Sequence, residues 1–150
     1  MSDRVYFTTK TLIDNTKILP PKVLKTGRRA LNDIANNLVK ASSGAAPHKK
    51  GILEDSWTKE VGVDSSFKLQ ATVSYSVSEN SSGGSFNYAI AMHENQYNLG
   101  AGSLAKSGGQ GLSGKVYPVG NKFLTRVLEG ETPTYRKLID RRIKRTVKNL

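Results

Sequence analysis

The chain has 150 residues, no cysteine and a formal net charge of +11 at pH 7. This length fits a single domain, and the lack of cysteine excludes disulfides, thiolate metal sites and cysteine nucleophiles. No apolar run approaches the roughly 18 residues of a membrane span, and the first residues lack the apolar stretch of a signal peptide. We therefore expect a soluble protein without a membrane partner. Its charge indicates an anionic partner, although basic residues spread along the chain can also be solvated helix faces.

The first periodic segment, residues 20–41, predicts an amphipathic helix. Its apolar residues recur at spacings of three, four and seven, as they do along one face of a helix. Its two leading prolines suit a first helical turn, and the residues from Ser42 to Gly44 predict its end. We interpret residues 1–19 as an N-terminal arm.

Residues 67–77 predict the clearest strand, because apolar and polar residues alternate strictly over this segment. Residues 56–64 are the predicted hairpin partner, and we expect their Trp57 to pack in the core. A flexible loop is predicted at 79–85. The short apolar segment 86–94 can be either a helix or a strand.

The last periodic segment starts near Val119 and predicts two helical stretches separated by Pro133. Beyond this proline, an apolar stripe lies opposite a basic one. Together these elements predict one α+β domain spanning residues 1–150. We expect an antiparallel sheet of three or four strands, packed against an N-terminal and a C-terminal helix and joined by long flexible loops.

The stretch from Gly108 to Val116 nearly matches a phosphate-binding loop of the form GxxxxGK followed by Ser or Thr. Gly109, Gly114 and Lys115 satisfy the pattern, but Val116 replaces the hydroxyl residue that would bind magnesium. The preceding residues do not form an apolar strand, and Pro118 follows too soon for a helix. We interpret the whole segment 95–117 as a second flexible loop, and its unusual length indicates a functional role.

Residue types that support catalysis are sparse. His48 and His93 lie far apart, and neither belongs to a metal-ligand pattern. The neighbouring His93 and Glu94 can act as a general base and acid, but no nucleophile signature accompanies them. The acidic residues form no paired-carboxylate arrangement for two-metal chemistry. We therefore expect a protein that is not an enzyme and that has no cofactor, no catalytic residues and no metal site.

Three short motifs occur in order along the chain. A pattern like AlaProxxxGxLxxS follows the first helix, a TyrAlaxxxHisGlu-like segment comes later, and a LysPheLeu-like segment opens the last helix. The matching residues are Ala46, Pro47, Gly51, Leu53, Ser56, Tyr88, Ala89, His93, Glu94, Lys122, Phe123 and Leu124. In their order, these motifs resemble the tail-completion proteins of tailed bacteriophages, also called neck or minor capsid proteins. The resemblance spans residues 20–150. The chain departs from the family at Lys49 and Lys50, where arginine or threonine is common, and in the length of 95–117.

The resemblance implies a structural virion protein that takes part in head-tail joining and is made in the host cytoplasm. Such proteins form a homo-oligomeric ring, commonly of six copies, between the connector or head-completion protein above and the tail terminator or tail tube protein below. The long segment then becomes a partner-contact loop, with candidate residues Gly100, Leu104, Lys106, Gln110, Leu112 and Lys115.

The positive charge supports a second interpretation. Arg141, Arg142, Lys144 and Arg145 are candidates to face genomic DNA in the lumen of the neck, through non-specific contacts with its backbone. The alternative to a neck protein is a basic nucleic-acid-binding protein, although no known readout motif is present.

Overall fold

The structure is a computed structural model, and it describes residues 5–8, 20–48, 50–65, 68–81 and 84–150. The predicted α+β class is confirmed: long helices lie near both ends of the chain, and all strand pairs are antiparallel. The elements are β1 (Val5–Thr8), α1 (Pro21–Ala45), β2 (Trp57–Val63), β3 (Leu69–Tyr75), β4 (Ser78–Ser81), β5 (Gly84–Asn87), α2 (Tyr88–Glu94), α3 (Ala101–Leu104), β6 (Gly109–Gln110), β7 (Val116–Tyr117) and α4 (Phe123–Lys148).

Helix α1 has the predicted amphipathic face, but its predicted end was wrong. The helix continues through Ser42 to Ala45 because the Ser42 side chain does not compete for backbone groups ahead of it. Instead, Ser42 Oγ donates to the carbonyl oxygen of Leu38 at 2.5 Å and contacts Tyr75 Oη at 2.7 Å. Tertiary contacts therefore hold in helical form a Ser-rich segment that would favour a turn in isolation.

The three-stranded sheet has the order β1-β3-β2, so β3 is its central strand. The predicted hairpin is confirmed, with Trp57 opposite Tyr75 and Val63 opposite Leu69. Strand β1 comes from the predicted N-terminal arm and pairs with β3 from Val5 opposite Tyr75. The rest of that arm and Phe67, the first residue of the predicted strand, lie outside the described residues.

Trp57 was predicted to pack in the core, and that prediction was wrong, because its side chain is 43% exposed. Its partner across the hairpin, Tyr75, is fully buried. The difference comes from strand position: Tyr75 is on the central strand, whereas Trp57 is on β2 at the border of the sheet. Lys59 on the same strand bonds Asn32 and Asn36 of α1, which gives this border a polar contact.

The core lies where α1 and α4 pack on the inner face of β3. Apolar side chains of β3 at alternate positions are buried, as the strand pattern predicts. The main buried side chains from the three elements are Leu31, Ile34, Leu38, Leu69, Ala71, Val73, Tyr75, Phe123, Leu124 and Val127.

The segments predicted as flexible loops contain regular structure. Residues 79–85 overlap the β4-β5 hairpin, and residues 95–117 contain α3 and the β6-β7 hairpin. The undecided segment 86–94 contains helix α2. Asn87 begins this helix, because its side-chain oxygen accepts a hydrogen bond from the backbone N–H of Ala89 at 3.0 Å.

Pro133 was predicted to break the C-terminal helix, and that prediction was wrong. Helix α4 runs unbroken from Phe123 to Lys148, and its buried residues continue at four-residue spacing through Glu131, Tyr135 and Ile139. Pro133 is exposed, so the carbonyl group that its missing N–H leaves unbonded faces the solvent side. Burial on the opposite face holds the two turns in one helix.

We expect Pro133→Ala to stabilise the protein. Proline costs about 3 kcal/mol more than alanine in a helix interior, while its loss gives the unfolded chain back about 1 kcal/mol of entropy. The free energy of unfolding should therefore rise by about 1–2 kcal/mol in urea denaturation. Arg136→Ala, a change at an exposed position in the same helix, should leave it within about 0.5 kcal/mol. A destabilised Pro133→Ala variant would contradict a continuous α4.

Candidate functional site

The first motif forms the turn between α1 and β2. Gly51 adopts a φ of +76°, in the left-handed region that favours glycine. The turn closes through hydrogen bonds from Asp55 N to Gly51 O at 3.2 Å and from Ser56 N to Leu53 O at 3.1 Å. Leu53 is fully buried, and Pro47, at the other end of the turn, is buried too. These motif residues therefore direct the chain from the helix into the sheet.

The second and third motifs meet at the start of α4. The backbone N–H of Lys122 donates to the carbonyl oxygen of His93 at 2.7 Å. The Phe123 ring packs edge-on against both the His93 ring, with centroids 5.1 Å apart, and the Tyr75 ring, at 5.2 Å. Leu124 and Ala89 are buried in the same core. We call His93, Glu94, Lys122 and Phe123 the motif cluster.

Tyr75 connects the first motif to this cluster. Its hydroxyl group contacts Ser43 Oγ at 2.9 Å, and Ser43 Oγ in turn donates to the carbonyl oxygen of Glu54 at 3.0 Å. Its ring packs against Phe123. Burial raises the pKa of Tyr75, and its hydrogen bonds with Ser42 and Ser43 oppose the shift. Tyr75 thus links the first motif segment to Phe123, which in turn packs against His93 of the second.

His93 supports the beginning of α4 as a neutral imidazole. Its Nε2 lies 3.4 Å from the backbone nitrogen of Thr125, and because an amide N–H can only donate, Nε2 must accept. The proton is then on Nδ1, which donates to Glu94 Oε1 at 2.8 Å. The ring therefore accepts one of the unpaired N–H groups in the first turn of α4.

The surroundings of His93 favour this neutral form. Burial lowers the pKa of His93 below its ordinary value, and the hydrogen bond to Glu94 only partly offsets the shift. A protonated ring would also face the positive end of the α4 dipole. Glu94 forms an ion pair with Lys122, and this contact, followed by the bond from His93, lowers the pKa of the Glu94 carboxyl group. His93 and Glu94, the adjacent residues that could have supplied a general base and acid, hold the start of α4.

The glycine-rich stretch that resembles a nucleotide-binding loop forms the β6-β7 hairpin. Strand β7, and not a helix, comes directly after its Lys115. The ammonium group of Lys115 lies 5.2 Å from the centre of the Tyr117 ring. The hairpin is fixed to α4 through the fully buried Glu131. This carboxylate accepts hydrogen bonds from Ser113 N at 2.9 Å, from Ser113 Oγ, and from Tyr117 Oη at 2.9 Å. Burial, followed by the bond to Glu131, raises the pKa of Tyr117 to about 12.

Glycines let this hairpin lie directly against two helices. A side chain at Gly109 would overlap the carbonyl group of Ala41 on α1, and one at Gly111 would overlap the Glu131 carboxylate. A further hydrogen bond joins the hairpin to α1, where Asn37 Oδ1 accepts from Leu112 N at 3.1 Å. The same oxygen also accepts from Tyr135 Oη of α4 at 2.8 Å. The glycines therefore serve close packing, with no phosphate needed to explain them.

The candidate partner-contact residues occupy two environments. Gly100, Gln110 and Lys115 are exposed, and so are the apolar side chains of Leu104, Leu112 and the neighbouring Val116, at 69%, 46% and 52%. We call Leu104, Leu112 and Val116 the apolar patch residues. Lys106 differs, because its ammonium group donates to the carbonyl oxygens of Ser43 at 2.9 Å and Ala46 at 2.5 Å.

The Lys106 contact belongs to a cluster that the sequence did not reveal. Glu54 lies between Lys106 Nζ, 3.4 Å from its Oε2, and His48 Nδ1, 2.6 Å from its Oε1. Burial lowers the pKa of Lys106, and Glu54 opposes the shift. The cluster fastens the segment before β6 to the end of α1. No sequence signal joins these residues, which come from three separate segments.

The four candidate DNA-facing residues lie at one end of the antiparallel pair formed by α1 and α4. Thr26 contacts Thr146, and Asp33 pairs with Arg142, so the start of α1 lies beside the end of α4. Residues 21–33 and 140–150, which we call the basic end, contain nine basic and two acidic residues and so carry +7 of the net +11. Both acids are engaged, Asp33 with Arg142 and Asp140 with Lys144.

Other kinds of site find little support in the part of the chain that the structure describes. There, no three His, Asp or Glu side chains gather where they could hold a metal ion. None of its helices is both long and apolar enough to cross a membrane. Comparison of the chain with protein-family models, curated proteins and solved structures gives no match.

We expect the stability of the protein to fall as the pH decreases below about 6.5, the ordinary pKa of histidine. The pKa of His93 is lower in the folded state, so the unfolded chain binds more protons in this range, and protonation favours unfolding. The loss cannot exceed about 1.4 kcal/mol per pH unit for one group. Urea denaturation between pH 8 and pH 5 should show the loss for the wild type.

The matched variants assign this effect to one histidine. His93→Gln keeps a side chain that can both donate and accept, and it should flatten the dependence between pH 6.5 and 5. His48→Gln changes the exposed histidine and measures what the loss of a histidine away from α4 does to the slope. An unchanged slope in His93→Gln would show that His93 is not the group responsible. The Glu94 carboxyl group has a lowered pKa and contributes only below about pH 4.5, outside this range.

We expect Gly111→Ala to destabilise the protein by about 1–3 kcal/mol, the usual cost of overpacking. Its new methyl group would push the hairpin away from Glu131. Gly120→Ala is the matched control, since its nearest non-neighbour atom would lie 3.6 Å away, and it should change stability by no more than about 0.5 kcal/mol. Guanidinium denaturation of both variants measures the difference. Equal stabilities would mean that the hairpin does not rest on Glu131.

Proposed function

We propose that this protein is a structural subunit of the neck of a tailed bacteriophage, where a ring of its copies joins the DNA-filled head to the tail. The observation that carries the proposal is the meeting of the three motifs in one packed unit. One buried core contains Ala46 and Leu53 of the first motif, Ala89 of the second, and Phe123 and Leu124 of the third. The Phe123 ring also packs against the ring of His93. A sequence pattern that specifies a common fold requires such contacts between its parts.

The chemistry of the motif cluster supports a structural role. His93 accepts from the first turn of α4, Glu94 pairs with Lys122, and Phe123 is fully buried. His93, Glu94 and Lys122 thus each have a hydrogen-bonding or ion-pair partner within the fold. These contacts are sufficient to account for their presence. The resemblance to tail-completion proteins rests on residues that build the subunit.

Ring formation would place different surfaces of adjacent copies in contact, as every head-to-tail cyclic assembly does. We assign the apolar patch residues to such a contact, which would remove their exposed apolar side chains from water. We propose six copies, with the connector or head-completion protein on one side of the ring and the tail terminator or tail tube protein on the other. The mature protein would then be part of the virion.

Disruption of the gene in the phage or prophage that carries it tests this role. Electron microscopy of the lysates should show filled heads beside finished, unattached tails, because only the joining step is lost. Complementation with the wild-type gene should restore complete particles. Intact, infectious particles from the disrupted phage would refute the neck assignment.

Complementation with surface variants tests the contact surface. Leu112→Asp combined with Val116→Asp adds two charges to exposed positions and should fail to restore joining. The matched control is Ile52→Asp combined with Val63→Asp, which changes two exposed apolar residues outside the apolar patch and should restore it. Circular dichroism of the purified variants establishes that both are folded. If the Leu112 and Val116 variant restored joining fully, this surface would not be part of the ring contact.

A further inference from the structure

A cleft of about 270 Å³ opens between α1 and α4 at the basic end. Its lining consists of Thr26, Arg29, Arg142, Arg145 and Thr146. Three arginines and two threonines thus line one space, without an apolar residue among them. A guanidinium group offers a planar set of N–H donors that matches two oxygens of a phosphate group.

The hydrogen-bonding groups of this cleft are incompletely used within the protein. The two threonine hydroxyls share one hydrogen bond of 2.7 Å, so one of their two protons is not used in that bond. Arg142 donates to Asp33 at 2.5 Å through one of its terminal nitrogens. Within the described residues, no ion pair involves Arg29 or Arg145.

The charges around the cleft favour a long polyanion over a single small anion. Lys22, Lys25 and Arg28 continue the basic surface along α1, and Arg141 and Lys148 continue it along α4. The first turn of α1 has no acidic residue, although the helix dipole favours acids there. Like charges so close together repel one another, and an extended anion would relieve that repulsion.

We propose that this cleft binds the sugar-phosphate backbone of nucleic acid without regard to base sequence. One phosphate group lies between Arg29 and Arg145 and accepts a hydrogen bond from a threonine hydroxyl, while the flanking lysines and arginines meet neighbouring phosphates. The site contains no aromatic side chain for stacking on bases, which is the usual basis of single-strand binding. The binding needs one copy of the chain, so it can succeed or fail independently of the neck role.

Fluorescence anisotropy with the full chain and labelled 20-base-pair DNA duplexes of unrelated sequences tests the proposal. Affinity should be the same for each duplex and should fall steeply as the salt concentration rises, because bound phosphates release counterions. Arg29→Glu combined with Arg145→Glu should weaken binding at least tenfold. It should also reduce the slope of log K against log salt by about 2, as expected when two phosphate contacts are lost.

Two further variants separate the cleft from general charge. Lys40→Glu combined with Lys115→Glu makes the same charge change at exposed positions outside the basic end, and it should weaken binding less than threefold. Arg29→Lys combined with Arg145→Lys keeps the charge but removes the guanidinium geometry, and it should weaken binding about threefold to tenfold. If the lysine variant bound DNA with wild-type affinity, or if the two glutamate variants lost the same amount of affinity, the proposal that this cleft is a defined binding site would be overturned.

A membrane surface is the other extended anion to test. Sedimentation with vesicles of phosphatidylcholine and phosphatidylglycerol measures how much protein the vesicles bind. At the same phosphate concentration and salt, this bound fraction should be smaller than the fraction bound to DNA. Retention on these vesicles that depends on Arg29 and Arg145, without measurable DNA binding, would overturn the nucleic-acid proposal. All the substituted side chains are exposed, so we expect the variants to fold, and circular dichroism of each purified variant checks this.

Discussion

Helices α1 and α4 lie antiparallel, in contact from Thr26 opposite Thr146 to Asn37 opposite Tyr135. The central strand of the sheet and the β6-β7 hairpin take their positions from this pair. Strand β3 packs on it through Tyr75, whose hydroxyl contacts α1 and whose ring contacts Phe123 of α4. The β6-β7 hairpin rests on both helices at once, through Asn37 and Glu131. Loss of the helix contact would therefore remove the support of the sheet and of the hairpin together.

The same antiparallel contact brings like charges together. The start of α1 and the end of α4 are each basic, and as neighbours they form an end with a net charge of +7. Burial of the shared apolar stripe must outweigh this repulsion, since apolar burial contributes roughly 25 cal/mol for each Å² removed from water. Two aspartates reduce the repulsion locally, through Asp33 with Arg142 and Asp140 with Lys144. The remaining excess of positive charge lowers the stability of the folded chain, and binding of an anionic partner would raise it again.

Much of the fold follows from periodicity, whereas the details that depend on neighbours do not. The α1 face and the alternation in β3 predict their elements because each pattern is local. Trp57 and Pro133 were misjudged because the strand at the border of the sheet and the exposed face of α4 are set by packing between distant segments. The buried Glu131 and the Lys106 contact with Glu54 were not predicted, because a buried charge is recognisable only once its partners are in place. Of the candidate sites, the motif residues were found by pattern, whereas the cleft at Arg29 required the pairing of two helices.

The hairpin at residues 109–117 shows how glycine content can mislead about order. A Gly-rich segment loses much chain entropy on folding, so its sequence favours a flexible loop that partners would have to order. Here Glu131 supplies three hydrogen bonds to it, and Gly109 and Gly111 allow contact with both helices. These contacts within one subunit offset the entropy cost of ordering the hairpin before any association. Leu112 and Val116 are consequently held on a fixed turn, and a partner that binds them has little further ordering to offset.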